Sequence, residues 1–277
     1  RSRGLGDVYK RQGVEYKSGE EINILEICDI IDESETAFDK YFEIAEIKKP
    51  TAKRMCGYTT WYNYYTSVTE EIVKRDLESI SKLDSKIDIF QVDDGYERTV
   101  GDWLIADNKK FPSGMKSVAD NIHSHNMLAG LWLAPFAATP KSYIYRKHKD
   151  WFVKDNDGKI PFASHNWGGF YALDIYNEEV RRYLKKVFDT VLNTWGYDMV
   201  KLDFLYACCI IPYHNKSRGE IMCDAMELLR SLCGDKLILG CGVPLAPAFG
   251  KVDFCRIGAD MAPVSYTHLR AHETGAY

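Results

Sequence analysis

Carboxyl side chains follow three of the short apolar runs in this sequence, at the point where each run ends. Asp93 and Asp94 close one run, Asp203 closes a second, and Asp260 follows a third. Taking a charge out of water at the end of a buried strand costs free energy unless the charge is paired or used. The four residues are therefore candidates for general acid–base or nucleophilic chemistry.

Lys201 lies two residues before Asp203, and the period of a strand places both side chains on the same face of a sheet. One interpretation is a buried ion pair with a structural role only. The other is that Lys201 holds Asp203 ionised, which is the state that a nucleophile requires. We favour the second and predict that Asp203 is a nucleophile.

Asp260 ends a run that also contains Arg256. Shielding from water raises the pKa of a carboxyl group and keeps it protonated, as a general acid requires. Arg256 at close range would oppose that shift, so we expect it to face a substrate hydroxyl. Asp93 and Asp94 suit acceptance of hydrogen bonds from neighbouring sugar hydroxyls, although Asp-Asp-Gly is also ordinary turn chemistry.

The elements that would position these residues alternate between strand and helix from residue 51 onward. Amphipathic helices are predicted after Ser67, at Ser113, at Asn177 and at Ser217. Such alternation is typical of a parallel sheet covered by helices. Six apolar runs have the length of buried strands, namely residues 54–61, 87–92, 127–135, 197–205, 236–241 and 252–257.

Two architectures have this alternation, an open doubly wound sheet and a (β/α)8 barrel. The first usually carries a glycine-rich phosphate loop after its first strand, and residues 60–65 (TWYNYY) contain no glycine. The second places polar catalytic residues at the carboxyl ends of several strands, as this sequence does. We therefore predict an α/β fold, a partial TIM barrel with about six of its eight strands.

Local signals add detail to this prediction. Ser67 and Glu70 have the spacing of a capping box at the start of a barrel helix. Residues 137–173, rich in aromatic and polar side chains, are predicted to be a long loop over the barrel mouth. Residues 241–252 are too few for a full crossover helix. Three tryptophans in predicted loops either line outer sugar subsites or simply pack the loops, namely Trp103, Trp151 and Trp167.

The chain divides into four predicted segments. The two ends have no hydrophobic period and resemble translated adapter sequence, so the natural chain is expected to be longer at both ends. The segment after the first end contains an alternating strand at residues 21–31 and a helix at 35–47. The predicted boundaries are 1–12 for the first adapter, 13–50 for the end of an N-terminal β-domain with a linker helix, 51–264 for the incomplete catalytic barrel and 265–277 for the second adapter.

The composition excludes several classes of protein. With 36 Lys+Arg against 40 Asp+Glu and no basic stripe, a nucleic-acid partner is not expected. The absence of an apolar run of 18 residues argues against a membrane partner. Eight cysteines without zinc spacing favour reduced thiols and a cytoplasmic location, although their even number leaves disulfides open. His123 and His125 have the H-x-H spacing of metal-dependent hydrolase barrels, but they end a predicted helix and not a strand, so metal binding is not expected. Acid–base and nucleophilic chemistry by carboxyl groups also needs no organic cofactor.

Six motifs in the right order resemble the successive barrel motifs of glycoside hydrolase family 36, the α-galactosidases. The resemblance covers roughly residues 22–263, and six motifs together are more specific than any one of them. The sequence departs from the family pattern by truncation, because the N-terminal β-sandwich is represented only by its last strand. The motifs are YTTW (58–61), VDDGY (92–96), GLWLAPF (130–136), KLDF (201–204), GCGVP (240–244) and RIGAD (256–260).

This resemblance implies roles for individual residues. Asp203 would be the nucleophile and Asp260 the acid/base, while Asp93 and Asp94 would bind the 4- and 6-hydroxyls of galactose. The remaining implied substrate-binding residues are Lys201, Arg256, Cys241 and Gly242, with Trp61 and Trp132 as walls of the sugar site.

The function that the resemblance implies is removal of terminal α-D-galactose from oligosaccharides by a double displacement with retention. Two related activities remain open, a galactosyltransferase of the raffinose- or stachyose-synthase type and an α-N-acetylgalactosaminidase. A non-enzymatic alternative is an inactive sugar-binding fragment. The expected partners are raffinose- or melibiose-like α-galactosides, and a homo-oligomeric parent protein is left open. The 277-residue chain itself is expected to be inactive, because six strands leave two sheet edges unpaired.

Overall fold

The computed structural model describes residues 14–19, 21, 29–47 and 52–258. Most of the strand predicted at residues 21–31 lies outside this part of the chain. Asp260 and the two terminal segments, 1–12 and 265–277, also lie outside it.

The described residues contain nine strands, and six of them form one parallel sheet in the order β1-β2-β3-β7-β8-β9. Each of the six predicted apolar runs contains one of these six strands. In chain order the strands are β1 (Gly57–Thr59), β2 (Ile89–Val92), β3 (Leu128–Leu133), β4 (Ala137–Ala138), β5 (Phe162–Ser164), β6 (Phe170–Ala172), β7 (Met199–Leu202), β8 (Leu237–Gly240) and β9 (Phe254–Cys255).

Helices separate most of these parallel strands, so the predicted six-stranded part of a (β/α)8 barrel is confirmed. Among the described residues, the end strands β1 and β9 do not pair with each other. The α-helices are α1 (Ser34–Ile44), α2 (Trp61–Tyr64), α3 (Glu70–Ile80), α4 (Gly114–Ser124), α5 (Tyr143–Lys147), α6 (Glu178–Asp189), α7 (Arg218–Cys233) and α8 (Leu245–Ala248). Shorter 3₁₀ turns occupy Tyr65–Ser67, Lys149–Trp151, Asn166–Gly168 and Leu205–Cys209, and a π turn occupies Thr190–Thr194.

The capping box predicted at Ser67 is wrong. Ser67 ends a 3₁₀ turn, and Thr69, whose backbone is extended, caps α3 by accepting the Ile72 N–H on Oγ1 at 3.3 Å. The Glu70 carboxylate instead accepts both the N–H and the hydroxyl of Ser113, at 3.0 and 2.8 Å. Glu70 therefore ties the start of α3 to the start of α4.

The amphipathic helices bury their apolar faces as their spacing predicts. Asn177 caps α6 by accepting the Glu179 N–H at 2.8 Å, and the chain leaves the helical region at Gly196, where φ is +83°. A capping box formed by Ser217 and Glu220 begins α7. This capping box was not predicted from the sequence. These caps define the residues at which α6 and α7 begin.

The predicted loop at residues 137–173 contains a second, antiparallel sheet in the order β4-β6-β5. Its strands have only two or three residues, which is too few to reveal a period of two. Trp103 and Trp151 are buried in the core rather than exposed at a sugar subsite, with 0% and 8% of their surface accessible. Of the alternatives for these two tryptophans, loop packing is therefore confirmed.

The seven cysteines within the described residues are all free thiols. None of the helices in this part of the chain is both long and apolar enough to cross a lipid bilayer.

Leu184 of α6 is fully buried in the core, and its neighbour Lys185 is exposed. Replacing Leu184 by Ala leaves a cavity, so we expect Leu184→Ala to lower the free energy of unfolding by about 3 kcal/mol. Lys185→Ala, the matched control, should change it by less than about 0.5 kcal/mol. Urea denaturation followed by circular dichroism measures both, and equal losses would contradict the described packing of α6.

Candidate active site

The carboxyl ends of neighbouring strands stand level at one edge of the parallel sheet. Leu202 of β7 is paired with Leu133 of β3 and with Gly240 of β8. The next residues along β7 and β8, Asp203 and Cys241, therefore lie side by side. The strands end at the same level, and the polar residues predicted at this edge therefore meet there.

Asp93 follows β2 and forms a buried ion pair with Lys201 of β7, with 2.8 Å between Oδ2 and Nζ. The Asp93 and Lys201 side chains are only 2% and 8% exposed. Gln91 Nε2 and Thr59 Oγ1 donate to the same carboxylate oxygen, at 2.6 and 3.2 Å. Burial lowers the pKa of Lys201, but the attraction of Asp93 outweighs burial and raises this pKa above its ordinary value. The Lys201 side chain therefore stays a protonated ammonium group.

The prediction that Lys201 pairs with Asp203 is wrong about the partner. Lys201 bonds to Asp93 across β3, and Asp203 acts on it only through longer-range attraction. Gly130 of β3, which is paired with Gln91 and with Met199, leaves no side chain between these two residues. The Lys201 ammonium stabilises Asp93 more than it would stabilise Asp203, because Asp93 is deeply buried and Asp203 has other donors.

Three donors hold the Asp203 carboxylate. Trp132 Nε1 donates to Oδ2 at 3.2 Å, and the backbone N–H of Phe204 donates to Oδ1 at 2.8 Å. The Cys241 thiol makes the third hydrogen bond. Burial, and next the neighbouring Asp203 charge, raise the pKa of Cys241 to about 12, so this thiol stays a neutral donor. Hydrogen bonds to a carboxylate favour its ionised form.

Asp94 is 3% exposed and accepts a hydrogen bond from Trp167 Nε1 at 2.8 Å. Burial raises the pKa of Asp94 above its ordinary value, although its hydrogen bonds oppose this effect. Trp167 has a left-handed backbone (φ +54°), and its ring packs on Phe204 and Trp132 at centroid distances of 4.7 and 5.9 Å. Trp167, which lies between β5 and β6 of the antiparallel sheet, thus supplies a donor to the carboxylate at the end of β2.

These side chains enclose a cavity of about 80 Å³. Six residues predicted from the sequence line it together, and three that were not assigned a definite role join them. The six are Trp61, Asp93, Asp94, Trp132, Lys201 and Asp203, and the three are Asn166, Trp167 and Phe204.

Three other predicted binding residues are near the cavity but do not line it. Cys241 is fully buried beside Asp203. Gly242 approaches the Asp203 carboxylate closely with φ +60°. Arg256 follows β9, where its backbone N–H donates to Gly240 O at 2.9 Å, and its charge acts on Cys241. The acid/base assigned to Asp260 lies outside the described residues and stays a prediction.

Three residues in or next to the site, Asn166, Phe204 and Glu97, were not predicted from the sequence. Phe204 has φ +52°, a backbone conformation that sequence patterns signal mainly through glycine, asparagine or aspartate. Glu97 is buried next to Asp94, and nothing in its local sequence indicates this burial.

The two histidines with H-x-H spacing, His123 and His125, take no part in the site. His123 Nε2 bonds to Asp198 Oδ2 at 2.7 Å, just before the amino end of β7. In the part of the chain that the structure describes, no cluster of His, Cys, Asp or Glu could hold a metal ion.

Gly242 lies where a side chain would disturb Asp203, since a Cβ there would be 3.3 Å from Oδ1 and 3.1 Å from Phe204 N. We expect Gly242→Ala to lower the free energy of unfolding by about 2 kcal/mol or more, because left-handed strain and this contact add up. Gly196 also has a positive φ (+83°) but has open space around it, so Gly196→Ala should lose only about 1 kcal/mol. Thermal or urea unfolding compares the two, and an equal loss would show that crowding at Asp203 is absent.

Comparison with known proteins identifies a family to which this chain is similar. A family model described as Melibiase matches residues 43–222, which is well over half of the chain. The α-galactosidase from Thermus thermophilus, solved with p-nitrophenyl α-D-galactopyranoside, superposes with a TM-score of 0.71 at 35% identity. This match covers 78% of this chain and 44% of the Thermus chain.

Among curated relatives, the galactosaminidase from Flavonifractor plautii, described as acting on A type blood α-D-galactosamine, is 31% identical over 47% of this chain and 13% of its own length. Alpha-galactosidase Mel36A from Lactobacillus acidophilus is 28% identical over 52% of this chain and 20% of its own length. The chain thus spans about a fifth or less of the length of these relatives. The family-model match nevertheless extends from α1 into α7, and the chain belongs to the melibiase family, which confirms its resemblance to the family 36 α-galactosidases.

Proposed function

We propose that the protein containing this chain is a retaining α-galactosidase that removes terminal α-D-galactose from oligosaccharides. One observation carries the proposal. A carboxylate held by three donors, Asp203, faces the same small cavity as the acceptors Asp93 and Asp94 and the ammonium of Lys201. This arrangement suits a nucleophile beside groups that bind sugar hydroxyls.

In the proposed first step, an oxygen of Asp203 attacks the anomeric carbon and the bond to the leaving oxygen breaks. Asp260 gives its proton to that oxygen, and a covalent β-galactosyl ester of Asp203 remains. Asp260 then takes a proton from water, whose oxygen attacks the anomeric carbon. The ester bond to Asp203 breaks, which restores its carboxylate and releases α-galactose. Retention by this route requires carboxyl groups about 5–5.5 Å apart.

The donors around Asp203 fit this role. They fix the direction of the carboxylate oxygens before the substrate binds. The hydrogen bond from Trp132 also holds the indole ring beside Asp203, so that one face of the ring can form a wall for the apolar face of the sugar. We assign the second wall to Trp61, which packs edge-on against Tyr65 at 5.1 Å.

We assign selectivity for galactose to Asp93 and Asp94. An axial 4-hydroxyl would reach these buried acceptors, whereas an equatorial one would leave them without a donor, which is costly. Lys201 and Arg256 are assigned to further sugar hydroxyls. Because relatives were solved with p-nitrophenyl α-D-galactopyranoside and stachyose, we propose α-galactoside oligosaccharides as substrates.

The name of the Flavonifractor relative favours one second candidate, hydrolysis of an α-galactosaminide. This activity would use the same nucleophile and differ in the room around the 2-substituent of the sugar. For the location we propose a reducing compartment such as the cytoplasm, because buried thiols at Cys208, Cys209 and Cys233 are free in the structure.

Asp203→Asn tests the nucleophile. In the complete gene product that carries this sequence, we expect kcat for p-nitrophenyl α-D-galactopyranoside to fall by at least about 10³-fold, because the amide cannot form the ester intermediate. The control is Asp84→Asn, which removes an exposed carboxylate from a loop and should leave kcat unchanged. Full activity of Asp203→Asn would refute the assignment.

Substrate comparison tests the sugar. We expect kcat/KM for the α-galactoside to exceed that for the matching α-glucoside by at least about 10²-fold, since the equatorial hydroxyl leaves buried acceptors unpaired. The α-N-acetylgalactosaminide is assayed in parallel. A higher kcat/KM for this substrate would replace the proposed activity by the second candidate, and equal hydrolysis of galactoside and glucoside would contradict the roles of Asp93 and Asp94.

A further inference from the structure

Glu97 is a buried acid whose partner is another acid. It follows β2 by five residues, is only 7% exposed, and its backbone bridges to Ala106. Its carboxyl group is hydrogen-bonded to the carboxyl group of Asp94. The N–H of Gly95 also donates to Glu97 Oε2, at 3.3 Å. A hydrogen bond between two carboxyl groups requires one proton, because ionised carboxylates only accept.

The distribution of donors indicates which acid carries this proton. Asp94 receives the indole N–H of Trp167 at 2.8 Å, which favours its ionised form. Glu97 receives only backbone N–H groups, the long hydrogen bond from Gly95 at 3.3 Å and its own N–H, and both affect its pKa less than burial and Asp94 do. Burial, and next the Asp94 charge, raise the pKa of Glu97 well above its ordinary value. Glu97 is therefore the neutral partner and donates its O–H to Asp94.

We propose that Glu97 is a positioning residue, a neutral carboxyl group that, together with Trp167, fixes the orientation of Asp94 for a hydroxyl of the bound sugar. Glu97 does not line the cavity and acts only through Asp94. This inference rests on the proposed sugar-binding function of the site and extends it beyond the residues that touch the sugar.

The surrounding charges explain why the neutral form matters. Asp93 and Asp94 already place two carboxylates at the end of β2, and only Asp93 has the ammonium of Lys201 as a partner. Lys110 attracts Asp94, but its Nζ bonds to the carbonyls of Thr66 and Gly95, at 2.6 and 3.0 Å.

The buried phenol of Tyr96 is another titratable neighbour of Glu97. Burial raises the pKa of Tyr96 well above its ordinary value, so this phenol is neutral and adds no further negative charge. Ionised Glu97 would face Asp94 without a cation between them. The resulting repulsion would turn one carboxylate away and misplace the acceptor for the sugar hydroxyl.

Two substitutions at one position separate positioning from mere filling of space. In Glu97→Gln the amide N–H donates to Asp94 and the amide oxygen accepts the Gly95 N–H, as the neutral acid does. In Glu97→Leu both hydrogen bonds are lost at similar volume. In the complete gene product we expect KM for p-nitrophenyl α-D-galactopyranoside to stay within about threefold in Glu97→Gln and to rise at least about tenfold in Glu97→Leu, with a smaller change in kcat.

The pH profile gives a readout that a structural role would not change. Wild-type KM should rise at alkaline pH, because the added charge on Glu97 disturbs Asp94. This alkaline rise in KM should be absent in Glu97→Gln, which cannot ionise. A Glu97→Gln variant that folds but is as impaired as Glu97→Leu, or that keeps the alkaline rise of the wild type, overturns the proposal.

Unfolding measurements without sugar keep this test independent of the proposed function. The folded protein keeps the Glu97 proton, whereas the unfolded chain loses it above the ordinary glutamate pKa of 4.5. Wild-type stability therefore falls relative to Glu97→Gln as pH rises from that value. If the gene product binds no galactoside, the proposed function fails whatever the outcome here. If it binds galactoside but the stability difference does not change with pH, the neutral carboxyl is refuted instead.

Discussion

The ion pair between Lys201 and Asp93 joins two strands that are not neighbours in the sheet, since β3 lies between β2 and β7. A buried ion pair stabilises a fold only when its geometry is good and its other hydrogen bonds are satisfied. Here Gln91 and Thr59 also donate hydrogen bonds to the carboxylate of Asp93. Breaking either partner would leave an uncompensated charge in the barrel interior.

The ion pair between Lys201 and Asp93 also determines which groups can bind the neighbouring carboxylate of Asp203. Because Lys201 is committed to Asp93, the nucleophile candidate Asp203 depends on neutral donors, the indole of Trp132, a backbone N–H and the thiol of Cys241. Neutral donors hold a carboxylate in its ionised form without cancelling its charge.

Much of this arrangement was predictable from the sequence, because the apolar runs locate the strands and the position after each run locates the polar residues. The apolar runs predict the strands, and the residue after each run is at the carboxyl end of the sheet, which suffices to bring Asp93, Asp94 and Asp203 together. The partner of Lys201 was not predictable, since a contact across an intervening strand depends on the twist and closure of the sheet. Trp167 approaches Asp94 through a left-handed backbone in the 3₁₀ turn between β5 and β6, and neither feature has a period.

The inserted segment at residues 137–173 has a consequence for how such a protein changes over time. Its strands β4, β5 and β6 pair only with one another among the described residues, yet its Asn166 and Trp167 form one wall of the cavity. Insertions, deletions or exchanges in this segment can reshape that wall without breaking a hydrogen bond of the parallel sheet. The chemistry at the strand ends and the fit to different leaving groups can therefore evolve separately, on a shared and unaltered scaffold.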